Sequence, residues 1–306
     1  MRIASIDIGT NTILLLISEL DASGSLRVIV DEQVIARLGK GVDREKRILP
    51  ETFERCKNFL LAYKETALRY DADKIFAVGT SALRDARNRD DFIREMFDAT
   101  GIRIEIISGD EEAQWTYVGA TSGLKYSTPY TSVLDIGGGS TELIIGDGKN
   151  ILARKSIDIG SVRVTEKFFH HTPPLDCEIK DAEEFISERL MEYPVIEAGA
   201  TTFVGVAGTV TTLAALELHL QSFDREKVSG AILQRSQIER QYHVLRNMGS
   251  DELRAHVAID AGRADIIVAG VLILKMVCET NAIAEVIVSE KGLRYGIALR
   301  EFANLS

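Results

Sequence analysis

The strongest constraint on this chain is a phrase that it uses twice. Residues 133–145 read Val-Leu-Asp-Ile-Gly-Gly-Gly-Ser-Thr-Glu-Leu-Ile-Ile, an apolar run ending at Asp135, three glycines, then Ser140, Thr141, Glu142 and a second apolar run. Residues 7–17 read Asp-Ile-Gly-Thr-Asn-Thr-Ile-Leu-Leu-Leu-Ile. At a constant offset Asp7 meets Asp135, Gly9 meets Gly137, Thr12 meets Ser140, Leu15 meets Leu143 and Ile17 meets Ile145. Each phrase predicts strand, tight turn, strand. Glycine tolerates positive φ and lets another group approach the backbone, and successive bare N–H groups form a concavity suited to an anion. Asp135 and Glu142 flank their turn and offer the oxygen ligands a hard cation takes. Alone, residues 133–145 fit an ordinary Gly-rich hairpin equally well. The repeat favours a duplicated domain with a polyanion held between its halves. A third small turn, Gly205-Val-Ala-Gly-Thr209, opens a helix-like segment, and helix N-termini are favourable anion sites.

Charge limits the kind of polyanion. The 306 residues carry a formal net charge of −10, with 45% apolar and 27% charged residues. Such a chain is globular and large enough for two cores. It lacks the broad basic surface that duplex nucleic acid requires, so a phosphate site must be a local positive pocket in an acidic body. Cys56, Cys177 and Cys278 have no metal or CxxC spacing, and the five histidines form no HExxH pattern. Reduced structural thiols and a cytoplasmic location are expected. Asp7 interrupts the first apolar run, which argues against a secretory leader. Ile266–Leu274 is too short to span a bilayer and reads as a buried helix, so no membrane partner is expected.

In chain order, strands are expected at 2–8, 12–20 and 26–36. Arg37–Arg47 comes next as a basic, Gly-containing connection, either solvated or meeting a phosphate chain. A helix runs from Pro50 to about Arg69, with Pro at its first turn. Lys74–Gly79 reads as a strand, Thr80–Arg84 as the start of a helix and Asp90–Thr100 as a helix stopped by Gly101. Ile102–Ile107 is a strand, and Asp110 to about Leu124 a helix. Lys125–Thr131 is the expected hinge. The second half repeats the first, with strands at 131–136, 140–147 and 151–157. Helices broken by Pro173-Pro174 come next, then a strand at 202–206, helices at 209–220, 236–248 and 262–279, a strand at 284–289 and a last helix after Gly292.

Six pieces of this chain resemble, in order, the motifs of the exopolyphosphatase / guanosine pentaphosphate phosphohydrolase (Ppx/GppA) family, within the actin and sugar-kinase superfamily. They are Asp7-Ile-Gly-Thr-Asn-Thr12, Gly79-Thr-Ser-Ala-Leu-Arg84, Ile107-Ser-Gly-Asp-Glu-Glu-Ala113, Asp135-Ile-Gly-Gly-Gly-Ser-Thr-Glu142, Gly205-Val-Ala-Gly-Thr209 and Gly292-Leu-Arg294. The resemblance implies two ribonuclease-H-like (actin-like) α/β domains flanking a cleft. The first would be 1–125 plus 292–306, with the last helix returning to it, and the second 126–291.

The same resemblance implies a chemistry. The activity would be hydrolysis of a phosphoanhydride, releasing the terminal phosphate of inorganic polyphosphate or the 5′-γ-phosphate of guanosine pentaphosphate. Glu112 would be the base that activates water, with Glu142 sharing that role and Arg84 set on the developing charge. Glu111 reads as a solvated first-turn residue. Thr10, Asn11 and Thr12 would grip phosphate from one domain. Gly137, Gly138, Gly139, Ser140 and Thr141 would cradle it from the other, with Gly208 and Thr209 nearby. Mg²⁺ or another divalent cation would sit on Asp7, Asp135 and Glu142. Arg163, after Gly160, stands either as a phosphate ligand or as a structural residue, and Arg263 and Asp265 match a family pattern of unassigned role. The family has Glu where this chain has Tyr295. A homodimer is compatible with the resemblance. Two other readings stay open, a small-molecule kinase of the same superfamily and a non-catalytic alarmone or nucleotide sensor.

Overall fold

The computed structural model describes residues 1–124, 128–148, 150–193 and 201–305. The chain divides into two compact units, Met1–Gly123 with Gly292–Ser306, and Leu124–Lys291. Of the expected hinge Lys125–Thr131, residues 125–127 lie outside the described residues.

The first unit opens with β1 (Arg2–Ile8), β2 (Thr12–Leu20) and β3 (Leu26–Ile35), then a short α1 (Val42–Glu45) and the long α2 (Pro50–Arg69). The chain continues through β4 (Lys74–Gly79), α3 (Ser81–Asp85), α4 (Arg89–Thr100), β5 (Ile104–Ile106) and α5 (Gly109–Thr121). The sheet order is β3-β2-β1-β4-β5. β1 is central and buried along nearly its whole length, which is why it reads as an almost continuous apolar run. In α2 the buried residues are Thr52, Cys56, Leu60, Tyr63 and Ala67. That spacing follows one helical face, and Pro50 occupies its first turn. Gly101 ends α4 in the left-handed region at φ 73°, the conformation glycine adopts without a Cβ penalty.

The second unit contains β6 (Tyr130–Ile136), β7 (Thr141–Gly146), β8 (Ile151–Ile157), α6 (Ser161–Phe168), α7 (Asp176–Leu190), β9 (Thr201–Val206) and α8 (Ala207–Glu217). It closes with α9 (Arg225–Val228), β10 (Ile232–Gln234), α10 (Arg235–Leu245), α11 (Ser250–Ala255), α12 (Ile267–Thr280) and β11 (Glu285–Val288). Its sheet order is β10-β11-β9-β6-β7-β8. Read from the other end it repeats the first sheet, with β10 added at the edge. The pairing also repeats. β1/β2 and β2/β3 are antiparallel and β1/β4 parallel, as are β6/β7, β7/β8 and β6/β9 respectively. Even the ladder irregularity recurs, between Ile17 and Ser18 in one unit and between Ile145 and Gly146 in the other.

The last helix, α13 (Leu293–Leu305), belongs to the first unit. Gly296 has no room for a Cβ because the Trp115 backbone of α5 occupies that space. Ser5 on β1 donates to the Arg294 carbonyl at 2.8 Å. Asp31 on β3 accepts from Arg294 Nε and Nη2, both at 2.9 Å, and from the Tyr295 hydroxyl at 2.8 Å. Tyr295 is therefore a hydrogen-bonded anchor of the last helix.

The expected α/β fold class and most strands hold. The strand at 102–107 shrinks to Ile104–Ile106, and α12 begins at Ile267 rather than 262. The helix expected from Asp110 ends at Thr121. The short elements α1, α9, β10 and α11 were not legible, because three to six residues hold too little periodicity. Ile266–Leu274 falls in buried α12, and among the described residues no helix is long and apolar enough to cross a membrane. Cys56 and Cys278 are buried free thiols, whereas Cys177 is exposed and not a core residue.

Candidate active site

In the second unit the Gly-rich turn joins β6 to β7. Gly137 N donates to Ser140 O at 3.0 Å and closes the turn. The strand register sets Asp135 directly opposite Glu142, and Glu142 opposite Ser156. Side chains of opposed residues share a face, with Cβ atoms about 4.5–5.5 Å apart. Glu142 is 1% exposed and accepts from Ser156 Oγ at 2.7 Å. Both carboxylates act on the buried Tyr193 hydroxyl, whose pKa is pushed well up, first by burial and then by Glu142 and Asp135. Two carboxylates opposed across a ladder repel. Two adjacent oxygen donors with an acidic field fit a hard divalent cation, which commonly takes one or two carboxylates and completes its shell with water and phosphate oxygens. Among the described residues no group of three or more His, Cys, Asp or Glu is gathered for a metal. Asp7 lies in the other unit, opposite Leu14 on β2.

The carbonyls of the turn are tied off by α6. Ser161 N donates to Gly137 O at 2.9 Å, and Val162 N and Arg163 N donate to Gly138 O at 2.9 and 3.1 Å. Arg163 Nε donates to Gly139 O at 2.8 Å. A Cβ on Gly160 would overlap the Gly138–Gly139 backbone, so only glycine lets α6 seat here. Among the described residues, the N–H groups of Gly138 and Gly139 donate to no backbone oxygen. They are the donors left for an anion. Arg163 thus braces the turn. Thr141 departs from the expected phosphate contact: it is 0% exposed, and its hydroxyl donates to Ile159 O at 2.5 Å. Its side chain is spent on the fold.

The third turn shows a second departure. Ala207 takes φ +68°, a strained value for a residue with a Cβ. The Arg263 guanidinium lies where a Cβ on Gly208 would be, and Thr209 packs its hydroxyl against Gly270. Gly208 is therefore covered by Arg263, whose role the sequence left unassigned. The only signal was the Arg263-x-Asp265 pattern.

The first unit repeats the tied turn. Gly9 N donates to Thr12 O at 3.0 Å, matching Gly137 to Ser140. Gly39 N donates to Thr10 O at 2.7 Å, and Ala36 N and Arg37 N to Asn11 O at 2.9 and 2.8 Å. Asp7, Thr10 and Asn11 are buried and Thr12 is half-buried. Thr80 lies alongside, since β4 pairs with β1 through Gly79 and Ile8, and Thr80 N donates to Ile8 O at 3.3 Å.

Arg84 and Glu112 meet in this unit. Arg84 Nη1 donates to Glu112 Oε2 at 2.6 Å and to Ile107 O at 3.2 Å. Burial raises the Glu112 pKa above the ordinary carboxylate value, and Arg84 opposes this without overcoming it. The adjacent glutamate does different work. Ser108 N donates to Glu111 Oε2 at 2.8 Å and Glu111 N to Ser108 Oγ at 3.2 Å, a reciprocal cap that fixes the start of α5. Glu111 is thus a capping residue, while the next position turns Glu112 inward.

A model of the Ppx/GppA phosphatase family matches residues 16–305. Exopolyphosphatase 2 of Mycobacterium tuberculosis is 35% identical over 313 residues, spanning 97% of this chain and 98% of that protein. The guanosine-5′-triphosphate,3′-diphosphate pyrophosphatase of Photobacterium profundum is 30% identical and spans 96% of this chain, which covers 58% of its length. Among solved structures, that of an exopolyphosphatase-like protein superposes with a TM-score of 0.94 at 33% identity, over 100% of this chain and 99% of that one.

Proposed function

Because this chain belongs to the Ppx/GppA phosphatase family, we propose that it releases the terminal phosphate of inorganic polyphosphate or the 5′-γ-phosphate of guanosine pentaphosphate. Like its relatives named exopolyphosphatase and guanosine pentaphosphate pyrophosphatase, it is a hydrolase of acid anhydrides.

One observation carries the assignment of roles. Glu112 is 8% exposed, has its pKa raised by burial and touches a guanidinium at 2.6 Å. A carboxylate whose pKa is raised holds a proton more strongly than an ordinary one, which suits a general base. Glu112 takes a proton from water as its oxygen attacks the terminal phosphorus. The bridging P–O bond breaks, and the shortened chain leaves with the electron pair. Arg84 stabilises charge on the terminal phosphate oxygens. The free N–H groups of Gly138 and Gly139, with Ser140, receive phosphate oxygens. Thr10, Asn11 and Thr12 supply further donors. Asp135 and Glu142, with Asp7 acting through water, are the residues that would hold Mg²⁺ or another divalent cation, which neutralises phosphate oxygens when bound. With Glu142 so engaged, Glu112 is the principal base.

The test is phosphate release with Mg²⁺ from long-chain polyphosphate and from guanosine pentaphosphate, with Glu112→Gln as control. Release from either, lost in the variant, supports the reading and names the substrate. No release from protein that still binds both would overturn it in favour of a sensor.

A further inference from the structure

Residues 37–47, between β3 and α2, carry five cations against two acids in a chain of net charge −10. The segment is anchored at both ends. At one end the amides of Ala36, Arg37 and Gly39 hold the carbonyls of the Gly9 turn, and Gly39 is bare because the Thr10 side chain fills the space of its Cβ. At the other end Arg87 N donates to Lys46 O at 2.8 Å. The buried Asn88 accepts from Ile48 N at 2.9 Å and donates to Ile48 O at 3.0 Å. The segment is thus a strap from the Thr10–Asn11 turn to the residues just after Arg84.

Some of its charge is neutralised locally. Arg44 pairs with Glu45 at 2.9 Å and Lys46 with Asp43 at 3.4 Å. Lys40, Arg47 and Arg87 are exposed, and among the described residues none has an ion-pair partner. One exposed cation signifies nothing, since water solvates it well. Two on a strap pinned to a phosphate-type turn, with a third at Arg87, whose amide ties the strap's far end, put three exposed cations on one short stretch of an acidic protein. Such a surface rewards a ligand whose charge continues past its first phosphates. A linear phosphate chain has one charge or more at every unit, whereas guanosine pentaphosphate interrupts its charge with a neutral ribose and base before the 3′-diphosphate.

We propose that Lys40, Arg47 and Arg87 form an accessory subsite for the internal phosphates of a linear polyphosphate, selecting long chains over nucleotide substrates. The inference rests on the phosphate-binding reading of the Gly9 turn. Cation–phosphate contacts release condensed counterions, so they are read directly in the salt dependence of binding.

The experiment compares the full-length protein with Lys40→Ala/Arg47→Ala/Arg87→Ala on long-chain polyphosphate, tripolyphosphate and guanosine pentaphosphate. All three positions are exposed, and the melting temperature checks that the variant folds. The single Lys40→Ala variant serves as a milder form. The expected result is a KM for long-chain polyphosphate raised about tenfold or more with kcat unchanged, and a salt-dependence slope reduced by about 2 for three lost contacts. KM for the two short substrates stays within about twofold, because few of their phosphates reach past the turn. An equal shift for all three substrates, or an unchanged slope, overturns the subsite. If the protein hydrolyses none of them, the proposed activity falls. Titration of long-chain polyphosphate against both proteins then decides the subsite by itself, since equal dissociation constants would overturn it.

Discussion

Arg84 Nη1 lies 2.6 Å from Glu112 Oε2, and yet the Glu112 pKa is raised, because burial outweighs the guanidinium. The pair has a definite pH consequence. Removing Arg84 removes the one influence that lowers this pKa, so the acid limb of kcat/KM in Arg84→Gln should move to higher pH than in wild type. A pH–rate profile checks this, and a shift to lower pH would contradict the assignment.

The same residue sets activity against stability. A carboxylate whose folded pKa is raised binds more protons folded than unfolded, so stability falls as pH rises from the unfolded value toward the folded one. Glu112→Gln mimics the neutral form. It should melt higher than wild type at pH 8, with the difference shrinking toward pH 4, while losing most activity. Thermal melts at the two pH values decide this.

Asp135 and Glu142 set two like charges directly opposite one another across the ladder, an arrangement that a bound cation relieves. Mg²⁺ at about 100 times its Kd should stabilise the wild-type protein by about 2.7 kcal/mol. Asp135→Asn should melt higher than wild type without Mg²⁺ and gain little from it. Mg²⁺ titration followed by thermal shift, without any turnover, separates the two.

Gly160 has no room for a side chain, because α6 meets the Gly138–Gly139 backbone there. Gly160→Ala should displace the turn while the fold survives, at a cost of about 1–3 kcal/mol. A displacement near 1 Å at a site of this kind reduces rate by about 10²-fold. Activity assayed beside the circular dichroism spectrum shows whether the loss is local.

Asp31 receives three hydrogen bonds from Arg294 and Tyr295. Asp31→Ala leaves the buried Arg294 without its bidentate partner and should cost about 3–5 kcal/mol. Urea unfolding measures that directly.

The two turns and their flanking strands were legible because their signals are local. Asp7-Ile-Gly and Asp135-Ile-Gly each hold their message within ten residues, and β-strand period and glycine placement are nearest-neighbour properties. Pro50 and Gly101 marked helix ends for the same reason. The use of the Thr141 hydroxyl was not legible, because its neighbours in sequence resemble phosphate ligands whereas it meets Ile159, brought back by β8. Arg263 was unreadable because the glycine it covers lies in another turn, joined to it only by packing. Tyr295 stood in the sequence only as a departure from the family's Glu, because its partner Asp31 is distant in sequence on β3.

The sequence by itself determined the duplicated strand–turn–strand plan, the α/β class and the residue types able to handle phosphate. Those arise from hydrophobic period, glycine and charge, which act over a few residues. Only the tertiary structure decided what each of two adjacent glutamates touches, since Glu111 is drawn to Ser108 while Glu112 meets Arg84. It also decided which backbone groups of each turn are already engaged, because α6 and the strap claim their carbonyls. Burial and hydrogen-bond pairing are set by segments that meet only in space, and no local pattern encodes them.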